Sequence, residues 1–155
     1  MTPAERFLRE AIELAHANAE KGGRPFGAVI VKEGEVLASG VNEILRTNDP
    51  TSHAEMNAIR AASQKLGSPD LAGCTVYASG HPCPMCLAAI RMAGVGEVHF
   101  AYSNEDAAPY GLSTAAVYAD LAKPFAEQTI KIRHDPVRLE SNPDLYADWK
   151  RRQEK

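Results

Sequence analysis

Apolar positions recur along this chain in more than one rhythm, and each rhythm predicts an element. Phe7, Leu8, Ala11, Ile12, Ala15 and Ala19 return at helical spacing, which predicts an amphipathic helix over residues 3 to about 21. Thr2, Pro3 and Glu5 supply its cap, its first-turn proline and its capping-box carboxylate, and Gly22-Gly23 ends it. Phe26 to Val31 is instead an unbroken apolar run, the pattern of a strand covered on both faces. Glu33-Gly34 turns the chain, and Glu35 to Val41 returns as the hairpin partner. A polar loop, Arg46 to Thr51, leads to a helix from His53 to about Leu66, with Ile59, Ala62 and Leu66 on one face and Gly67 as its stop.

The same reading predicts a strand over Cys74 to Ala78, a helix over Cys83 to Ala93 and a strand over Glu97 to Tyr102. Ser103 to Gly111 has no clear period and reads as a loop. A short helix (Ala115 to Ala122), a fifth strand (Thr129 to Arg133) and a last helix complete the chain. That last helix runs from Pro143 to about Arg152, capped by Asn142, with Leu145, Tyr146 and Trp149 on its apolar side. The order implies an α/β fold: a mixed five-stranded sheet with helices on both faces, in three α/β/α layers.

The chain has 155 residues, a length that suits a single domain, 1–155, with a real core. Hydrophobic residues are 45% and charged residues 24%, ordinary for a soluble globular protein. No apolar run approaches the ~20 residues of a membrane span. Met1 to Glu5 lacks the basic start and apolar stretch of a secretion signal, so a cytoplasmic protein without membrane contact is expected. The net charge is −3 and the one dense basic cluster is Lys150-Arg151-Arg152. A protein that grips a phosphate backbone usually carries a basic excess, so a small-molecule substrate is expected rather than a nucleic acid.

Three cysteines cannot build a disulfide framework, and two of them, Cys83 and Cys86, stand in C-x-x-C spacing, which in a reducing compartment points to metal or redox chemistry. Cys74 opens an apolar run and reads as a buried small hydrophobe. His53-Ala54-Glu55 completes the constellation. One imidazole and two thiolates are the donor set zinc accepts, and three ligands leave the fourth tetrahedral position to a water whose pKa falls toward ~7. Both runs fall where a loop or strand enters a helix, and that end's partial positive charge favours thiolates. Glu55 is not needed as a ligand and is free to carry protons. It also follows Ser52 by three, so a capping box accounts for it equally well. A structural zinc would need a fourth protein ligand, and His81, beside Pro82, is the one candidate. His16, His99 and His134 read as ordinary surface or core histidines.

His-x-Glu followed by Pro-Cys-x-x-Cys is the signature of the zinc nucleobase deaminases, and this sequence resembles that family. The resemblance covers nearly the whole chain. Pro25-Phe26-Gly27-Ala28-Val29-Ile30-Val31, Asn42, Asn48 to Glu55, Pro82 to Cys86, Asp106-Ala107-Ala108 and Trp149 all look like bacterial guanine deaminases. It implies a cytidine-deaminase-like fold, hydrolytic release of ammonia from an aminated heterocycle, and a homodimer whose carboxyl-terminal segment can cross to the neighbouring subunit. It also implies that His53, Cys83 and Cys86 hold zinc and that Glu55 shuttles protons. Phe26 would pack on the flat base and Asn42 would bond its edge; core packing and a turn or strand-end cap are the structural alternatives for these two.

The chain departs from the group's pattern at three pocket positions. Leu112-Ser113-Thr114 replaces Phe-Asp-Asp, so Thr114 stands where a carboxylate would accept from the guanine edge. Met92 replaces a tryptophan and His81 a glutamate. A changed substrate follows as the expectation. A tRNA adenosine deaminase shares the metal signature and is the alternative enzyme. A non-catalytic, zinc-stapled binding module is the alternative from another class, against which Glu55 and the open coordination position argue.

Overall fold

The first strand, β1 (Gly27–Lys32), is buried along its first five residues, and such a strand needs a neighbour on each side and a layer on each face. It pairs antiparallel with β2 (Glu35–Val41) through the two-residue turn at Glu33-Gly34, and antiparallel with β3 (Cys74–Gly80) on its other side. β3 pairs in parallel with β4 (Glu97–Tyr102), giving a mixed sheet in the order β2-β1-β3-β4. The computed structural model describes residues 1–154. It forms two compact units, Met1–Ala119 and Asp120–Lys155.

In the first unit, helix α1 (Pro3–Glu20) starts as its sequence predicts. The Thr2 hydroxyl accepts from the Glu5 N–H at 3.1 Å, and the Glu5 carboxylate accepts from the Thr2 N–H at 3.2 Å, which satisfies donors that every helix start leaves open. On the sheet face toward α1, Phe7 packs with Val29, Val31 and Tyr77. The other face carries Ala28, Ile30 and Val76, packed with Ala54, Ala58 and Ala62 of α3 (Ala54–Leu66) and Ile90 of α4 (Pro84–Met92). Ile59 and Leu66 pack at the margin of that core, whose centre is the alanine row. The row lets α3 approach closely: a Cβ on Gly40 of β2 would lie 2.4 Å from the Ala54 carbonyl oxygen. That contact holds the start of α3, and with it His53, beside the end of β2.

Several expectations need correction. The sheet has four strands, not five. Thr129 to Arg133 has strand-like alternation, but a strand exists only when a neighbour takes up its backbone groups. Here Thr129 is instead tied to the Asp120 carboxylate through its N–H and its hydroxyl, both at 3.1 Å. The polar loop contains a single helical turn, α2 (Ile44–Thr47). The segment read as a loop after β4 holds α5 (Asn104–Ala107), which Ser103 and Asp106 close with a capping box, and a 3₁₀ turn at Ala108–Tyr110. α6 (Ala115–Leu121) follows. The last helix, α7 (Leu145–Gln153), begins two residues late and is not capped by Asn142.

None of the described residues of the second unit is buried. Ile130, Leu145, Tyr146 (82% exposed) and Trp149 all stand in solvent. Asp148 pairs with Arg151 and Arg152 on the surface of α7, so the basic cluster is a solvated helix end. No helix among the described residues is long and apolar enough to cross a membrane.

Candidate active site

His53 and Cys83 are the N-caps of α3 and α4, so both metal runs sit where helix N–H groups converge. The Cys83 sulfur accepts from the Cys86 N–H at 3.4 Å, and Pro84 occupies the first turn, where its missing N–H costs nothing. His53 Nδ1 lies 3.4 Å from Cys83 Sγ and 3.3 Å from Cys86 Sγ, and the three ligand atoms all fall within 4.8 Å of one another. Ordinary Zn–S and Zn–N bonds at tetrahedral angles place such atoms about 3.5 Å apart. The donor set therefore fits zinc in both chemistry and spacing. His81 is not in the cluster. Among the described residues that leaves three protein ligands, an open rather than a closed shell.

The cluster's proton affinities are tuned by one another. Hydrogen bonds from the Cys86 thiol and from His53, opposed by burial, bring the Cys83 pKa down to about 4. The Cys83 sulfur and then burial drive Cys86 upward, and the hydrogen bond to Cys83 raises His53. A divalent cation replaces these shared protons with a single stronger charge.

Glu55 is only 7% exposed. Burial raises its pKa first, and the Cys83 charge raises it further. The capping-box reading of this residue fails. The N-cap is His53, not Ser52, and no side chain caps the helix. The Ser52 hydroxyl instead accepts from Asn57 Nδ2 at 3.0 Å. The Glu55 carboxylate thus belongs to no capping box; hydrogen bonds with its own N–H and with Cys86 only partly offset the effect of burial.

Asn42 is 4% exposed. Its Oδ1 accepts from the Ile44 N–H at 3.1 Å, and its backbone carbonyl accepts from Asn18 Nδ2 at 2.8 Å. With Oδ1 occupied, the side chain has its amide donor to offer. Phe26 is half-buried and lies over Gly80, where a Cβ would meet its ring at 3.3 Å. Phe26, Ser79, His81, Tyr102 and Asn104 line a cleft of about 630 Å³. His81 is stacked between Phe100 and Tyr118. The Thr114 N–H donates to Asn104 Oδ1 at 3.2 Å, while its buried hydroxyl has no hydrogen-bond partner among the described residues.

Met92 is not brought to the cluster. It closes the far end of α4 at 89% exposure, roughly 13 Å along the helix from Cys83 at ~1.5 Å per residue. Two participants escaped the sequence reading. Asn18 ties the Arg24 carbonyl and the Asn42 carbonyl together from the end of α1, and Tyr118 donates to the Pro82 carbonyl next to Cys83. A polar residue late in an amphipathic helix was the available signal for Asn18. Tyr118 had none.

Fold and site together define a zinc-dependent deaminase, and the chain belongs to the cytidine and deoxycytidylate deaminase family, whose zinc-binding region matches residues 1–102. Within it, the chain is similar to the guanine deaminase of Bacillus subtilis (strain 168), with 46% identity over 127 residues, 81% of each chain. The crystal structure of Bacillus subtilis guanine deaminase superimposes with a TM-score of 0.86 at 41% identity, covering 95% of this chain and 93% of that one. The tRNA-specific adenosine deaminase of Aquifex aeolicus (strain VF5) is 34% identical over 145 residues, 94% of this chain and 92% of that one. The protein is a hydrolase that deaminates a nucleobase.

Proposed function

We propose that the protein, as a single functional domain, releases ammonia from a free aminated base related to guanine, with a preference shifted away from guanine itself. One observation carries the chemistry: an imidazole and two sulfurs converge within 4.8 Å beside a buried carboxylate. His53, Cys83 and Cys86 would hold zinc, whose Lewis acidity would make a water nucleophilic at neutral pH. Glu55 accepts a proton from the attacking water and passes it to a ring nitrogen, then takes the remaining proton from the hydroxyl so added and delivers it to the departing amine. Its raised pKa suits a group that must both take and give protons. Phe26 packs against the ring and the Asn42 amide donates to a ring acceptor. His81 lines the cleft, and Thr114 adjoins it through its bond to Asn104, its hydroxyl, without a partner among the described residues, standing in place of a carboxylate.

Guanine presents adjacent N–H donors on one edge, and a single hydroxyl cannot accept from both as a carboxylate can. A missing buried acceptor can cost ~10⁴-fold for the substrate that needs it. The test is ammonia release from a panel of aminopurines, aminopyrimidines, pterins and nucleosides, with and without chelator. The expected result is chelator-sensitive turnover, with at least one free base about 10-fold or more faster than guanine. Guanine as the best substrate overturns the shifted preference.

The similarity to a tRNA-specific adenosine deaminase across 94% of this chain favours a second reading, editing of tRNA. Tight tRNA binding that collapses with added salt supports that reading; the net charge of −3 weighs against it. The exposed apolar side chains of Asp120–Lys155 support a homodimer in which this segment passes to the neighbouring copy, because such surface needs a cover. Three cysteines without a disulfide suit a reducing, cytoplasmic setting.

A further inference from the structure

Pro82 joins the end of β3 to the first sulfur ligand, and its peptide has to be held still for that sulfur to aim correctly. A proline has no N–H with which to anchor itself, and Pro82 is buried. Its carbonyl accepts the phenol hydroxyl of Tyr118, 36 residues further along the chain. The Tyr118 ring stacks on the His81 imidazole, with centroids 5.3 Å apart and planes at 19°. His81 stacks in turn on Phe100 at 4.7 Å and 12°, and its N–H donates to the Tyr102 carbonyl at 2.8 Å. His81 and Pro82 are thus held by one side chain, through its ring and through its hydroxyl.

We propose that Tyr118 is a positioning residue for the metal site: its hydroxyl fixes the Pro82–Cys83 peptide and thereby the aim of Cys83 Sγ toward the point shared with His53 Nδ1 and Cys86 Sγ. It acts through the backbone and touches neither the reacting atoms nor the metal. The role rests on the zinc site alone and not on which base is deaminated.

The test is zinc affinity by chelator competition, read without any substrate. Y118F keeps the ring on His81 and removes the donor. Loss of a group that orients a metal ligand costs about 10- to 100-fold in affinity, and that is the loss expected here. The thermal midpoint of the zinc-free variant stays close to that of the zinc-free wild type. In cobalt-loaded protein the sulfur-to-metal charge-transfer band shifts as well. Y118L removes ring and hydroxyl together, and is expected to lose at least as much affinity as Y118F. Zinc binding within twofold of wild type in either folded variant overturns the proposal. So does equal destabilisation of the zinc-free and zinc-loaded forms by Y118F, which is the mark of a merely structural contact.

Discussion

A carboxylate two residues beyond His53 can either close a helix cap or stay available for proton transfer, and Glu55 does not close the cap. Replacing it with alanine is therefore expected to leave the helix start and the zinc content intact while turnover falls by ~10²–10⁴-fold, the usual share of general acid–base catalysis. Metal analysis alongside an ammonia assay checks this, and a variant that turns over normally refutes the shuttle. The sulfurs make a second expectation. Cys83, with a pKa near 4, is expected to alkylate quickly at neutral pH once a chelator has removed the metal. Cys74, buried and raised by burial, is expected to react only on unfolding. Mass spectrometry of the alkylated peptides distinguishes them. At this scale the sequence was legible where chemistry dictates spacing, as in His53, Cys83 and Cys86. It was silent on Tyr118, whose contact joins two segments by tertiary packing alone, and on how far along α4 Met92 lies from the cluster.

Elements stand where they do because backbones come into contact. Gly40 allows β2 to lie against α3, where a Cβ would meet the Ala54 oxygen at 2.4 Å and the Ala58 nitrogen at 2.6 Å. Both atoms are backbone and cannot rotate away. G40A is expected to cost about 1–3 kcal/mol, the range for overpacking, read as a lower urea midpoint at unchanged slope. Because α3 carries His53, zinc affinity is expected to fall with it. The capping box of α1 and the buried run of β1 were readable, since local hydrogen bonding and burial fix them. The Thr129 to Arg133 run was not: alternation reports a strand's willingness to pair, while the partner lies outside the local pattern. β4 has β3 as its neighbour, with Phe100 and Tyr102 exposed along it.

For the whole molecule, the apolar side chains of Asp120–Lys155 are the largest unexplained expense of exposure. Light scattering is expected to give twice the chain mass, and W149D is expected to shift that equilibrium toward single chains; a monomer at micromolar concentration overturns the dimer. One more consequence follows from where the ligands reside. His53 caps one helix and Cys83 another, with β3 between them in sequence, so an unfolded chain keeps only the Cys83–Cys86 pair together and not the three-ligand site. Folding and loading are then linked equilibria. Each tenfold rise in free zinc above the dissociation constant should add up to about 1.4 kcal/mol to the unfolding free energy, less whatever zinc the Cys83–Cys86 pair holds in the unfolded chain. Cells starved of the ion would lose the polypeptide itself to degradation, and not merely its turnover.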